Sequence, residues 1–165
     1  MAITLYENLR ALFYAPFYAA YSLGAYKAEG VDVRMQLSPS PTVNVEALRD
    51  GSADVCWGGP LRVLLDHDRN PQSDLVCFLE VVAKDPFFIV GRRPNPGFRL
   101  ADLTGIKFAS VSEVPTPWIC LADDLRRAGV DPAALTRDAT HTMAENEAAL
   151  RAGRLDAMQV FQPYA

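Results

Sequence analysis

The sequence is short of the residues from which catalytic and metal sites are usually built. It has three cysteines, Cys56, Cys77 and Cys120, and two histidines, His67 and His141. No CxxC pair occurs, and no metal-ligand spacing joins a cysteine to a histidine, so no metal and no cofactor is expected. The odd cysteine count argues against a disulfide framework, and the three read as small buried hydrophobes. Ser-x-x-Lys, Gly-x-Ser-x-Gly and a phosphate-loop lysine are all missing. Cys56 with His67 is the one conceivable nucleophile–base pair. Yet Cys56 lies in an apolar strand pattern, and His67 in "LLDHDRN" reads as a solvated helix end.

Positive charge is in deficit too, with 16 Lys and Arg against 20 Asp and Glu, a net charge of −4. With no basic stripe, nucleic acid and anionic membranes are poor partners. Long apolar runs are missing: residues 11–26 carry Pro16 and several tyrosines, too polar to span a bilayer. The opening "MAITLYENLR" lacks the charged-then-apolar layout of a signal peptide. Either the protein stays in the cytoplasm, or a leader was removed and it is periplasmic or lipid-anchored outside the cytoplasm.

What is present is ordinary globular material. Half of the 165 residues are hydrophobic and 22% are charged, enough for one domain or two small lobes. Residues 2–8 alternate as a strand, and helical spacing from Phe13 ends at Gly30. "VDVRMQL" is a strand. "VNVEALRD" is a helix with Thr42 as N-cap and Gly51 as stop, and "ADVCWG" is a strand. "GPLRVLLDHD" is a helix with Pro60 in its first turn. "DLVCFLEVVA" and "PFFIVGR" read as strongly apolar strands. "RPNPG", residues 93–97, is the best linker, dividing a lobe at 1–92 from one at 98–165. Beyond it come a helical turn at "LADLTG", strand "IKFASV" and helix "TPWICLADDLRRAG", with Thr116 at N-cap and Pro117 at N1. Weak strand "TRDATH", helix "MAENEAALRAG" and strand "LDAMQVF" complete the order. Alternating strands and helices predict parallel α/β layers.

The chain repeats itself. Ala-Leu-Arg-x-Gly-x-x-Asp runs from Ala47 to Asp54 and again from Ala149 to Asp156, an offset of 102 residues. Ala28-Glu29-Gly30-Val31-Asp32 is echoed by Arg127-Ala128-Gly129-Val130-Asp131, an offset of 99. Two echoes in one order and at nearly one offset predict two similarly built lobes. In open parallel sheets ligands bind beyond the carboxyl ends of the strands. The first Asp-led strand delivers Trp57-Gly58-Gly59-Pro60, and the second delivers Phe161-Gln162-Pro163-Tyr164. The glycine turn before a helix suits an anion or carbonyl, or is a plain strand-to-helix turn. Ser112 and Thr116 hold a ligand or cap a helix. Glu113 repels anions and favours an amine or ring N–H, or is a solvated loop residue. Trp57 and Trp118, beside Gly/Pro turns, are the better candidates for stacking on a flat ring.

Three segments resemble the type II periplasmic solute-binding proteins of the sulfonate, nitrate, taurine and thiamine-pyrimidine group. "APFYAAYSLGAYKAEGVDV" is similar to their opening AP-x-Y segment, "EALRDGSADVCWGGPLRVL" to their AL-x-x-G-x-x-D segment, and "AALRAGRLDAMQVFQPYA" to their segment ending EPYA. The resemblance implies a two-lobed, Venus-flytrap α/β fold that closes on one small molecule and hands it to an ABC importer. Matched residue by residue, it implies ligand contacts at Asn8, Tyr14, Pro16, Phe17 and Tyr18, at Trp57, Gly58, Gly59 and Pro60, from Ser112 through Glu113 and Thr116 to Trp118, and at Phe161 and Gln162. The sequence departs from the group's pattern in "SEVPTPW", where a Gly/Ser-rich oxyanion loop is common, and in "QPYA" for EPYA. The first departure points from sulfonate or nitrate toward a flat, nitrogen-bearing solute such as a thiamine-precursor pyrimidine. The chain stops where the group's members continue, so a truncated second lobe and return segment, exposed sheet edges and a homodimer through them are expected. The rival expectation is an enzyme on the same fold, of the pyrimidine-synthase, menaquinone-pathway or desulfinase kind, with Cys56 as nucleophile. A ligand-sensing domain is a third.

Overall fold

A computed structural model of the chain describes residues 2–40 and 43–165. It divides into two compact units, residues 1–85 and 86–165. The Thr42 cap expected from the sequence lies outside the described residues.

The first unit holds strands β1 (Ala2–Glu7), β2 (Asp32–Leu37) and β3 (Val55–Cys56), in the order β2-β1-β3. Both pairings are parallel, with Leu5 beside Met35 and Tyr6 beside Cys56. Between the strands run helices α1 (Ala15–Ser22), α2 (Ala25–Ala28) and α3 (Asn44–Asp50), and α4 (Pro60–Arg69) follows β3. The single helix expected before Gly30 is broken between α1 and α2, where Gly24 turns left-handed at φ 73°. Asp66 on α4 is buried and pairs with Arg49 of α3, while Ser73 Oγ donates to its other oxygen at 2.5 Å.

The expected strand over "DLVCFLEVVA" does not form. Residues 75–80 have no regular structure, and Val76, Phe78 and Leu79 are exposed. A strand needs a neighbour for its backbone hydrogen bonds, and none pairs with this segment. Apolar composition alone did not supply one.

The second unit has the strand order β4-β7-β5-β6, from β4 (Phe88–Gly91), β5 (Lys107–Ala109), β6 (Thr136–Asp138) and β7 (Ala157–Val160). β5 pairs in parallel with β6 and β7, whereas β4 runs antiparallel to β7. The division therefore falls at Asp85/Pro86 rather than at the expected linker 93–97, because β4 spends its hydrogen bonds on β7. Helices α5 (Thr116–Arg127) and α6 (Met143–Arg151) complete the unit. α5 buries Pro117, Leu121 and Leu125 on one stripe, the two leucines packing with Leu103, Phe108, Leu135 and Ala157, and turns Asp123 and Arg127 to solvent. Its N-cap is Pro115, one residue before the expected Thr116. α6 starts with a capping box, Glu145 Oε2 accepting from Thr142 N at 2.8 Å. Among the described residues no helix is long and apolar enough to cross a membrane.

The sequence echo is a structural one. Gly51 and Gly153 end α3 and α6 at φ 78° and 75°, a left-handed turn that L side chains resist. The aspartate that follows then clamps the central strand of its sheet. Asp54 Oδ2 accepts from Thr4 N at 2.8 Å, and Asp156 Oδ2 from Lys107 N at 3.0 Å. In return Asp54 N donates to Thr4 O at 3.0 Å and Asp156 N to Lys107 O at 2.9 Å. The repeated motif is thus a helix stop plus a two-way hydrogen bond that sets the register of β3 on β1 and of β7 on β5.

Candidate functional site

The carboxyl ends of β1 and β3 carry the largest aromatic group in the first unit. Trp57 extends β3 by one residue, its N donating to Tyr6 O at 3.3 Å, and it is buried. Phe17 stacks on its ring at 4.4 Å between centroids and 17° between planes. Tyr14 lies tilted at 5.2 Å, and Tyr18 meets the ring edge-on at 5.7 Å. Pro16 sits in the first turn of α1, which is what carries Phe17 and Tyr18 onto Trp57.

Polar groups are buried beside these rings. Glu7, the last residue of β1, is buried, and Tyr18 donates its hydroxyl to Glu7 Oε2 at 3.3 Å. Arg10 lies 3.5 Å from the same oxygen. Asn8 is buried, accepts from Asn44 Nδ2 at 3.1 Å and hydrogen-bonds to Tyr14. Burial pushes the Tyr14 phenol above its usual pKa against the lowering effect of Asn8. Burial and the Glu7 carboxylate do the same to Tyr18. Both tyrosines are neutral hydrogen-bonding groups at physiological pH. Gly59 forms the N-cap of α4 with no side-chain cap, Pro60 follows in the first turn, and the space in front of Gly58 is open.

So five of the expected residues, Asn8, Tyr14, Phe17, Tyr18 and Trp57, meet in one group. Glu7 and Asn44 belong to it and were missed. Glu7 looked like any strand-end acid, and Asn44 like any first-turn helix residue.

The second unit places its expected residues differently. Glu113 is half-buried, and both of its carboxylate oxygens take backbone N–H groups. Its Oε1 accepts from Met143 N at 2.8 Å, at the start of α6, and its Oε2 from Ser112 N at 3.2 Å. Ser112 Oγ donates to the His141 carbonyl at 2.8 Å. Trp118 packs against the core, and the Arg137 guanidinium lies 3.9 Å from its ring centroid. Arg137 also donates to Ser110 Oγ at 2.9 Å. Phe161 is buried, edge-on to Phe87 at 5.5 Å and to Tyr164 at 6.3 Å, while Gln162 is exposed. Gln159, unexpected from the sequence, is buried and donates from Nε2 to Pro117 O at 2.8 Å.

The expected nucleophile is poorly placed. Burial pushes the Cys56 thiol up, away from thiolate, although Arg62 opposes this. His67 Nε2 is occupied by the Leu75 carbonyl at 2.9 Å. Among the described residues no group of three or more His, Cys, Asp or Glu is placed to hold a metal ion.

Comparison with known proteins follows the same lines. The periplasmic aliphatic sulphonate-binding protein SsuA of Escherichia coli superposes with a TM-score of 0.69 at 19% identity, over 99% of this chain and 55% of that one. PhnD1 of Prochlorococcus marinus, solved with methylphosphonate, gives 0.65 at 15% identity, over 98% of this chain and 64% of that one. Both show the fold: α/β, of the periplasmic-binding-protein kind. YtlA of Bacillus subtilis is 24% identical over 126 residues, 76% of this chain and 38% of its own length. The chain therefore spans between about a third and two thirds of the relatives named here. The profile of the family described as NMT1/THI5 like matches residues 13–163, nearly the whole chain, and the chain belongs to that family.

Proposed function

We propose that the protein is a solute-binding component of an ABC import system and binds a small, flat, uncharged or nitrogen-bearing organic molecule. The observation that carries this is the first unit's group of Tyr14, Phe17, Tyr18 and Trp57 around buried Asn8 and Glu7. It stands beyond the carboxyl ends of two parallel strands, where such sheets take ligands. Aromatic walls with a few buried polar groups suit a ring with a polar edge. In this reading the protein works outside the cytoplasmic membrane, as the family resemblance implies. SsuA binds aliphatic sulphonates and PhnD1 was solved with methylphosphonate. Against an oxyanion here stands Glu113, whose carboxylate already takes the Met143 and Ser112 N–H groups.

Differential scanning fluorimetry with pyrimidines, methanesulfonate and methylphosphonate tests the proposal. A ligand at a hundred times its Kd stabilises the fold by about 2.7 kcal/mol. The expected result is an upward shift of Tm with a pyrimidine, without turnover. A shift with the sulfonate alone corrects the ligand class. No shift with any of the three ends the solute-binding reading.

A further inference from the structure

Two features of the first unit are each incomplete, and they complement one another. The outer edge of β3 carries no strand among the described residues, because β3 pairs on one side only, with β1. Its counterpart in the second unit, β7, has antiparallel β4 on that edge. The other feature is residues 75–80, "LVCFLE", which have the composition of a strand and no strand beside them. Val76, Phe78 and Leu79 are 75%, 73% and 66% exposed. Exposed edges are normally blunted by charge, proline or a bulge. Leu75 to Leu79 hold no charged residue, no proline and no glycine, and β3 holds none either. One chain thus carries an edge without a strand and a strand without an edge.

The direction of the chain explains why they do not meet within one molecule. The segment leaves β3 through α4, and its start is tied to the last turns of that helix. His67 Nε2 lies 2.9 Å from Leu75 O, and Ser73 Oγ donates to Asp66. A chain that leaves a strand through one helix comes back in the strand's own direction. The matching place in the second unit takes a strand of the opposite direction. A two-fold axis reverses direction, so the same segment from a second copy meets β3 in the sense in which β4 meets β7.

We propose that the first unit pairs with the first unit of a second copy of this chain, each giving residues 75–80 as an antiparallel strand to the outer edge of the other's β3. Each copy gives one strand and takes one, so the exchange closes at two chains. Exposed Leu64 and Leu65 add apolar surface on the helix that directly follows β3. The area is of the right size. Two separate compact bodies, each of half the chain's 18.1 kDa, expose about 9,700 Å² together. The chain exposes 10394 Å², about 700 Å² more. A standard interface takes about 800 Å² from each partner.

Sedimentation equilibrium of the full chain from about 1 to about 100 μM, a range that interfaces of this size reach, tests the proposal. A reductant keeps Cys56 and Cys77 from cross-linking. The mass at the upper end should be twice 18.1 kDa. Phe78→Pro removes a backbone N–H from the added strand and should weaken the dimer about tenfold or more. Phe78→Leu keeps the N–H and an apolar side chain and should weaken it far less. Hydrogen exchange of the native chain needs no variant, and decides alone if Phe78→Pro does not fold. The amides of 75–80 should gain protection as concentration rises. A monomer at every concentration overturns the proposal, and so does an assembly that grows past two chains. A dimer whose 75–80 amides stay unprotected places the contact elsewhere and overturns it too. Equal weakening by Phe78→Pro and Phe78→Leu does the same, since side chains alone then hold the contact. None of these outcomes bears on solute binding, which ligand titration reads separately.

Discussion

The two units are built on the same plan, yet they are not equally finished. Each has a central parallel strand flanked in the same order, β2-β1-β3 in one and β6-β5-β7 in the other. Each ends the helix before its repeat aspartate, α3 or α6, with a left-handed glycine and clamps its central strand with that aspartate. The second unit adds β4 along the outer edge of β7 and encloses Leu103, Phe108, Leu125, Met158 and Val160 completely. In the first unit no described strand pairs with the outer edge of β3, and Leu64, Leu65, Val76, Phe78 and Leu79 are exposed. The same local design therefore gives a sealed core only where a further strand covers the edge. The first unit's apolar side chains concentrate instead at the strand ends, around Trp57. An edge strand completes a sheet, and completing the sheet is what lets the helices above it bury their apolar stripes.

The largest expected break in this comparison is in the second core. Phe108→Ala should cost about 3–5 kcal/mol in a urea titration, because the ring is wholly enclosed. A loss below about 1 kcal/mol would mean the second unit is no better packed than the first. Next come the repeat glycines. Gly51→Ala and Gly153→Ala should each cost about 1–2 kcal/mol, since both hold a positive φ. Gly153→Ala should cost more, because its new Cβ would stand 3.3 Å from Arg92 Nη1 while Gly51 faces open space. Equal losses would show that Arg92 yields freely.

Acid should act on the second unit through Asp138. Hydrogen bonds from Thr140 and then His141 hold its carboxyl at about 2. Unfolded, it would titrate near about 3.9, so the unfolded chain binds the extra proton and this contribution is lost as pH falls from about 4 to 2. Asp138→Asn should flatten that part of the acid-unfolding curve. An unchanged curve would place the acid sensitivity elsewhere. The smallest effect belongs to the first unit's exposed segment. Phe78→Ser with Leu79→Ser should change urea stability by less than about 0.5 kcal/mol and reduce association on concentration. A loss several times larger would show that the segment is packed after all.

Much of this was legible in the residues. Gly51 and Gly153 marked helix ends, the alternation of 2–7 and 32–37 marked strands, and the double Ala-Leu-Arg-x-Gly-x-x-Asp announced two similar lobes. These are local signals, carried by backbone preference and periodicity. What failed was non-local. "DLVCFLEVVA" had the composition of a strand and no strand beside it. The linker looked like "RPNPG", but the antiparallel pairing of β4 with β7 moved the division to Asp85/Pro86. Trp57 and Trp118 looked alike in sequence. One is walled in by Tyr14, Phe17 and Tyr18, and the other packs against a core and under Arg137.

The sequence by itself determined most of the elements, their order, the repeat and the family, because each of these is written in short-range patterns of glycine, proline and apolar spacing. Tertiary structure decided which acids and aromatics do what. Glu113 became the acceptor at the start of α6, Glu7 the buried partner of Tyr18, and Trp57 and Asn44 the holders of unpaired atoms. A side chain's partner is set by segments distant in sequence that the sheet brings alongside it, and no spacing along one strand or helix encodes that meeting.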